Sequence, residues 1–213
     1  MNLNLSLDPL VKMRSFQFGT YDVEASDWWN LQLVGCFDGK TYYHFKTIGD
    51  FLEHITQKQY KNFRWFAHFG GRYDLNFVFD HIRQNYQLWK VSFYCSGSMV
   101  IRMSLTRRKG VSVHLCDSYR LLPASLASLT KAFNVDHKKQ EYDFQNVIYS
   151  KELIEYNEHD CKGLYEVLES FFEQTGIRSE TFATHALRYW RKQFLKRRIW
   201  KPHDNVSEFI RRS

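Results

Sequence analysis

The stretch SFQFGTYDVEA, residues 15–25, combines a strand pattern with two closely spaced carboxylates. Residues 15–23 are rich in aromatic and β-branched side chains, which favours a β-strand. Successive side chains of a strand point to opposite faces, so Asp22 and Glu24 are expected on one face at the strand end. An interior strand normally presents apolar side chains there. Two acids predict a divalent cation, because a cation offsets the repulsion and desolvation of clustered carboxylates.

Strand-like and helix-like segments alternate along the rest of the chain, which predicts an α/β domain. A hairpin is expected at the turn Asp38-Gly39-Lys40, and Ser150 is the expected N-cap of a long helix. The expected strands span residues 15–23, 31–37 and 63–68, with three more between 88 and 116. The expected helices span residues 48–58, 74–85, 125–133, 150–174 and 179–202.

The composition is that of a globular protein with one well-buried core. Hydrophobic residues make up 44% of the 213 positions, and the low counts of 3 Pro and 10 Gly exclude Pro- and Gly-rich disorder. No apolar run approaches the roughly 20 residues of a membrane span, and the N-terminus does not resemble a signal peptide. The scattered cysteines predict reduced thiols in an intracellular protein rather than disulfides or zinc.

The net charge of +7 is concentrated near the C-terminus. Residues 187–213 contain nine Lys and Arg residues against Asp204 and Glu208. A basic helix interspersed with aromatic residues suits the phosphate backbone of a nucleic acid. A solvated helix with an aromatic core stripe explains the same pattern, so charge alone does not decide between the two interpretations.

Two further acidic sites occur downstream. Asp74 lies in AHFGGRYDLNFVF, at a strand–Gly–Gly–helix junction, and Tyr156 and Asp160 lie four residues apart on the long helix and therefore share a face. Each site alone is explained by a solvated strand end, a helix N-terminal acid or a common helical pair. Together with Asp22 and Glu24, in this order and on these elements, they predict a two-metal hydrolytic centre.

These segments resemble the motifs of the exonuclease domain of family B DNA polymerases, most closely the protein-primed branch of bacteriophages, adenoviruses and linear plasmids. The family's Asp-x-Glu, aromatic-Asp and Tyr-x-x-x-Asp motifs are matched by Asp22 and Glu24, by Tyr73 and Asp74, and by Tyr156 and Asp160. The resemblance covers about residues 15–213. It implies a ribonuclease H-like exonuclease fold, α/β with a mixed central β-sheet flanked by helices. It also implies the tyrosine subclass of the DEDD superfamily, because Glu155 stands where the other subclass has histidine.

Shorter matches lie between these motifs. Ser125 and Leu126 resemble the family's element that holds the single-stranded 3′ end, and Lys139 resembles its basic residue near the scissile phosphate. Lys138 is equally well placed by sequence. Phe69 departs from the family, which has Asn at this position. That Asn is linked to substrate positioning, so its role would fall to His68 or Asn76.

The resemblance implies a 3′→5′ exonuclease that removes 5′-nucleotides from single-stranded or frayed DNA, with two divalent ions, Mg²⁺ or Mn²⁺. The implied metal ligands are Asp22, Glu24, Asp74 and Asp160. Tyr156 and Lys139 complete the implied catalytic set. The implied DNA contacts are Tyr73, Ser125, Leu126, His68 and Phe69. The alternatives are a catalytically impaired module that binds DNA or a terminal protein, and a stand-alone RNA-trimming exonuclease.

The resemblance also implies an organisation and partners. Residues 1–176 would form the exonuclease domain, and residues 177–213 a basic helix and linker. FIRRS, residues 209–213, resembles the sequence that leads into the family's polymerase part. The expected partners are a DNA 3′ end, a polymerase domain in cis or as a separate subunit, and a terminal primer protein. No membrane association is expected, and the origin would be viral, phage or plasmid.

Overall fold

The computed structural model describes residues 16–27, 29–97, 99–107, 111–142 and 147–195. The strands are β1 (Phe18–Ser26), β2 (Asn30–Phe37), β3 (Tyr42–Phe45), β4 (Arg64–Ala67), β5 (Trp89–Ser96), β6 (Met99–Arg107) and β7 (Ser112–Asp117). They form one sheet in the order β3-β2-β1-β4-β7-β6-β5. β1, β4 and β7 are mutually parallel at its centre, and the flanking pairs are antiparallel. The carboxyl ends of the three central strands therefore meet at one edge.

Helices cover both faces of this sheet. They are α1 (Ile48–Ile55), α2 (Asp74–Gln84), α3 (Leu126–Ala132), α4 (Lys151–Thr175) and α5 (Phe182–Phe194). Apolar residues of α1 and α2 pack against Tyr21 and Val23 in one core, and those of α3 and α4 pack against Phe18 and Phe66 in a second. The expected fold class, α/β with a mixed sheet flanked by helices, is confirmed.

The side chains of β1 alternate between these two cores. Tyr21 and Val23 face α1 and α2, whereas Thr20 faces α4 and donates a 2.6 Å hydrogen bond to the carbonyl of Cys161. Asp22 and Glu24 share the face of Thr20, as the period of two predicts. The strand continues to Ser26, so the two acids lie inside it and not at its end as expected. The reason is the antiparallel pairing with β2, which continues past a register shift after Glu24.

α4 agrees closely with the sequence pattern. The Ser150 hydroxyl accepts a hydrogen bond from the amide of Leu153 at 3.1 Å, which confirms the expected N-cap. The helix ends at Gly176, whose φ of 63° lies in the left-handed region that glycine adopts at low cost. The capping residues therefore determine both ends of the helix that carries half of the candidate site.

Two other helix boundaries differ from the expectation. α1 ends at Ile55 instead of residue 58, because a short 3₁₀ turn follows it. α5 begins after Thr181, whose hydroxyl accepts from the amide of Thr184 and caps the helix, and not at Ser179. The expected stop at Pro202 lies outside the described residues, as does the FIRRS segment.

The segment that precedes α5 is tied to the sheet. Glu180 forms salt bridges with Arg64 of β4 at 2.7 Å and Arg102 of β6 at 2.8 Å.

The division between residues 176 and 177 stays a prediction. All four cysteines are unpaired. None of the described helices has the length and apolar character that a transmembrane helix requires.

Candidate metal centre

Three carboxylates from β1 and α4 converge on one point. Asp22, Glu24 and Asp160 each place an oxygen within 4.8 Å of the others. Glu24 and Asp160 are buried and Asp22 is half-buried. Hard divalent cations bind oxygen at about 2.0–2.6 Å, so a single ion can reach all three side chains. These residues come from sequence segments more than 130 positions apart, and the β1–α4 packing brings them together.

The electrostatics of the cluster favour a cation. Burial, followed by the charges of Glu24, Asp74 and Asp160, raises the pKa of Asp22 well above its usual value. Burial also raises the pKa of Glu24. Oδ1 of Asp160 is buried and has no hydrogen-bond partner within the described part of the chain. An all-oxygen donor set with an unsatisfied buried acceptor fits Mg²⁺ or Mn²⁺.

Asn157 is a site residue that sequence reasoning missed. It is fully buried on α4, and its Nδ2 donates to Glu24 Oε1 at 3.2 Å and to Asp22 Oδ2 at 3.4 Å. The Tyr-x-x-x-Asp motif leaves this position, between Tyr156 and Asp160, unspecified. The only available signal was a polar residue on the buried face of α4, where an apolar one is the norm.

Asp74 lies beside the three-acid cluster but is not one of its members. The Gly70-Gly71 turn places it at the first residue of α2, where it is buried. Its Oδ1 accepts a 2.9 Å hydrogen bond from the amide of Val23, which stands between the two acids of β1. Burial raises the pKa of Asp74 to about 7. Its role as a metal ligand stays a prediction.

Lys139 reaches the centre from the segment before α4. Its Nζ donates to the Tyr156 hydroxyl at 2.6 Å and forms a salt bridge with Asp160. Burial alone would lower the pKa of Lys139, but the carboxylates of Asp160 and Asp22 more than offset this and raise it. The exposed Lys138 makes no such contact among the described residues. The structure therefore distinguishes the two lysines that the sequence left equivalent.

His137 anchors this lysine segment on α4. Its backbone amide donates to Glu166 Oε2 at 3.0 Å, and its imidazole Nδ1 makes a close contact with the other oxygen of the same carboxylate. An added Cβ at Gly163 would lie 2.3 Å from the His137 carbonyl, so the segment packs directly on the helix backbone. The ring of His159 contacts that of His137 edge-on, with the ring centroids 5.2 Å apart.

The expected DNA-contact residues divide into exposed and buried side chains. Phe69, with a φ of 62°, stacks on Tyr119 at 4.1 Å and is partly exposed. Ser125 is exposed and caps α3, whereas Leu126 is buried in the core with Phe18. Tyr73 is half-buried, and burial followed by the charge of Asp74 raises its pKa to about 12.

His68 is a structural link in this arrangement. Its ring nitrogens bond to the Ser118 hydroxyl at 3.0 Å and to the Ala124 carbonyl at 2.8 Å. Burial lowers the pKa of His68. These contacts fasten the segment that precedes Ser125 to the end of β4, and the role of His68 in binding DNA stays a prediction.

Asp117 is a second residue that sequence reasoning missed. It is buried at the end of β7 and accepts a 3.0 Å hydrogen bond from the amide of Tyr119. The amides of Gly71 and Phe69 also donate to it, and burial raises its pKa. Asp117 thereby holds the turn that leads to Asp74. The sequence offered one signal, an acid at the carboxyl end of a central strand.

The family comparison agrees with this geometry. Residues 55–151, just under half of the chain, match the family described as DNA polymerase type B, organellar and viral. This match includes the second of the three sequence motifs and confirms the resemblance to family B polymerases. No curated protein matches the chain significantly.

Solved structures show the same fold. The chain superposes on Phi29 DNA polymerase complexed with primer-template DNA and incoming nucleotide substrates, with a TM-score of 0.74 and 12% identity over 93% of this chain. It superposes on Phi29 DNA polymerase complexed with single-stranded DNA with a TM-score of 0.70 and 11% identity over 85% of this chain. It spans 38% and 36% of those chains, respectively. At this identity the likeness establishes the fold alone.

Proposed function

We propose that this chain, which carries a type B DNA polymerase region at residues 55–151, is a 3′→5′ exonuclease that removes 5′-nucleotides from single-stranded or frayed DNA ends. One observation carries the proposal. Asp22, Glu24 and Asp160 converge beside Tyr156 and Lys139, on the fold of Phi29 DNA polymerase. Carboxylates that can hold a divalent ion, with a phenol and a lysine beside them, are suited to metal-assisted hydrolysis of a phosphodiester.

Two ions fit the available donors. Asp22, Glu24 and Asp160 would hold one, since their oxygens already lie within 4.8 Å of one another. Asp22 and the neighbouring Asp74, directly or through water, would hold the other. When bound, such ions acidify an attacking water and neutralise charge on the phosphate. The protein contributes the fixed carboxylates and excludes most solvent from Glu24, Asp74 and Asp160.

Tyr156 acts as a hydrogen-bond donor rather than as a base. A phenol titrates near pH 10, and burial together with the charge of Asp160 raises the pKa of Tyr156 further. Its hydroxyl is therefore protonated at neutral pH and orients a water molecule or a phosphate oxygen. Lys139, 2.6 Å from that hydroxyl, places a positive charge where charge develops on the phosphate.

DNA binding follows from the surroundings of the acids. Phi29 DNA polymerase has been solved with single-stranded DNA, and we infer that this chain binds a 3′ end in the same general manner. The Phe69–Tyr119 stack and Tyr73 provide aromatic faces for bases, and Ser125 offers a hydroxyl. A paired end must unstack before it reaches the site, which costs a few kcal/mol, so frayed or mismatched ends are favoured.

The surrounding assembly is part of the proposal. The chain spans 38% of the matched polymerase, so a polymerase domain in cis or as a separate subunit is the expected partner. A protein-primed polymerase also engages a terminal protein at its origin. The sequence family includes viral and organellar members, which fits a viral, phage or plasmid source.

The decisive experiment measures hydrolysis of a 5′-labelled oligonucleotide. The wild-type chain should shorten it stepwise from the 3′ end with Mg²⁺ or Mn²⁺ and should be inactive with a chelator. The double variant Asp22→Ala/Glu24→Ala should lose activity by orders of magnitude. A matched control, Glu53→Ala/Asp80→Ala, removes two exposed acids and should retain activity.

Three outcomes would contradict the proposal. Equal activity in the two double variants would reject the site. Equal digestion of an RNA oligonucleotide would favour a trimming nuclease. Tight DNA binding without hydrolysis in any divalent metal would favour a binding module, which the replacement of the family Asn by Phe69 would then explain.

A further inference from the structure

A hydrogen-bond chain runs from β3 through α4 to the acids of β1. The Tyr42 hydroxyl donates to Asn157 Oδ1 at 2.8 Å, and Asn157 Nδ2 donates to the side chains of both Asp22 and Glu24. The same Nδ2 also contacts the backbone carbonyl of Asp22 at 3.3 Å. The amide thus links a tyrosine outside the three motifs to both β1 acids of the metal cluster.

The direction of this chain is determined by its ends. Ionised carboxylates only accept hydrogen bonds, so the NH₂ group of Asn157 must face Asp22 and Glu24. Its carbonyl oxygen then faces Tyr42 and also the thiol of Cys161, at 3.7 Å. Two donors on one side and two acidic acceptors on the other leave a single favourable orientation for the amide.

A glycine on β2 leaves the space that this amide occupies. Gly35 on β2 pairs with Asp22 in register. A Cβ at Gly35 would lie 1.8 Å from Asn157 Oδ1 and 2.5 Å from the Tyr42 hydroxyl. Gly35 has no positive φ, so the backbone does not require glycine there. Glycine weakens a strand interior, and here it provides the space that the buried amide occupies.

We propose that Asn157, oriented by Tyr42, is a positioning residue that holds Asp22 and Glu24 in the arrangement that binds a divalent cation. The inference rests on the metal-dependent function proposed above. A lysine at this position would neutralise the acids and compete with the ion. The neutral amide satisfies one oxygen of each carboxylate without adding charge, and the remaining oxygens stay available to the ion.

The test measures Mn²⁺ binding directly, by the loss of the free-ion electron paramagnetic resonance signal, without substrate. Asn157→Leu keeps the number and branching of the side-chain heavy atoms and removes the amide. It should weaken Mn²⁺ binding by about 10–100-fold, the usual effect of losing a partner that orients a metal ligand. Tyr42→Phe removes only the orienting hydroxyl and should weaken binding by roughly 3–10-fold, a smaller effect of the same kind.

Tyr43→Phe is the matched control, because Tyr43 is the adjacent residue and packs with His54 in the opposite core. Its Mn²⁺ affinity should equal that of the wild type. A second readout separates positioning from folding: at saturating Mn²⁺, kcat of Tyr42→Phe should recover towards the wild-type value, while the half-saturating metal concentration stays raised.

The outcomes distinguish this inference from the proposed function. If the wild-type chain binds Mn²⁺ and both Tyr42→Phe and Asn157→Leu bind it equally well, the positioning role is wrong and the metal centre stands. If the wild-type chain binds no Mn²⁺, the metal centre itself is wrong and the positioning role falls with it. Should Asn157→Leu fail to fold, the comparison of Tyr42→Phe with Tyr43→Phe decides alone.

Discussion

Replacing Gly35 with alanine should damage the fold and the metal centre together. The new methyl carbon would lie 1.8 Å from the side-chain carbonyl oxygen of Asn157, which is too close for both atoms to fit. It would also contact the Tyr42 hydroxyl. Neither neighbour can move freely. Asn157 is fully buried between two sheet strands and α4, and Tyr42 is half-buried above it.

The expected loss can be worked from these contacts. Forcing a methyl group into a packed site costs about 1–3 kcal/mol. Displacing Asn157 leaves buried polar groups without partners, which costs about 1–3 kcal/mol more. The lower chain entropy of unfolded alanine returns about 0.4–1 kcal/mol. The free energy of unfolding should therefore fall by about 1–6 kcal/mol, against about 5–15 kcal/mol for a typical domain, so that Gly35→Ala is weakened.

Urea denaturation followed by circular dichroism measures this change, and Mn²⁺ titration of the folded variant measures the effect on the site. The matched control is Gly49→Ala in the first turn of α1, where a Cβ would meet the edge of the His81 ring at 3.1 Å and the Thr47 hydroxyl at 3.7 Å. Helix propensity favours alanine there by up to about 1 kcal/mol, so the control should not lose stability. If Gly35→Ala lowered the free energy of unfolding by less than about 1 kcal/mol and left the Mn²⁺ affinity unchanged, glycine would not be needed at position 35 to make room for Asn157.

Without metal, the fold should lose stability as the pH rises. The pKa of Asp74 is raised from 3.8 to about 7 in the folded chain, so its contribution is complete below pH 4 and is lost as the pH passes 7. The loss in the free energy of unfolding is at most about 4 kcal/mol, and Asp74 shares it with Asp22 because the two groups titrate together. Urea titrations at pH 5 and pH 8 should show this loss, and a higher stability at pH 8 would contradict the prediction. Lys139→Ala should slow single-turnover hydrolysis about 100-fold while Lys138→Ala stays near wild type, and equal effects would reject the distinction between them. Ser150→Ala should lower the free energy of unfolding by about 1 kcal/mol in urea, because α4 loses its N-cap; no change would exclude that cap.

Local patterns were sufficient to predict the frame of the candidate site. The alternation of residues along β1 places Asp22 and Glu24 on one face, and the four-residue spacing on α4 places Tyr156 and Asp160 together. Both periodicities belong to the element itself and need no knowledge of neighbours. The same holds for the Ser150 cap, where a side chain bonds within its own turn.

The supporting residues could not be predicted in this way. Asn157 acquires a role only because β2 and β3 bring Gly35 and Tyr42 under α4, and this depends on strand order and register. Asp117 likewise depends on the parallel pairing of β4 with β7, which aligns its carboxylate with the turn after β4. A single sequence does not contain these pairings in any local pattern, so the polar residues they bring together look like ordinary surface positions.

The buried acids around β1 therefore lie in two halves, the three-acid cluster on the α4 side and Asp74 on the α2 side. α4 contributes Asp160 and Asn157, and the first residue of α2 is Asp74, whose carboxylate accepts a hydrogen bond from the amide of Val23 between the two β1 acids. Asp74 is held by a backbone group and Asp22 by a side-chain amide, so the halves are positioned by independent contacts. Changes to the Tyr42–Asn157 chain should consequently weaken the ion site of Asp22, Glu24 and Asp160 without displacing Asp74. The half built around α2 would then keep its place on the sheet while the half built around α4 loses its ligand geometry.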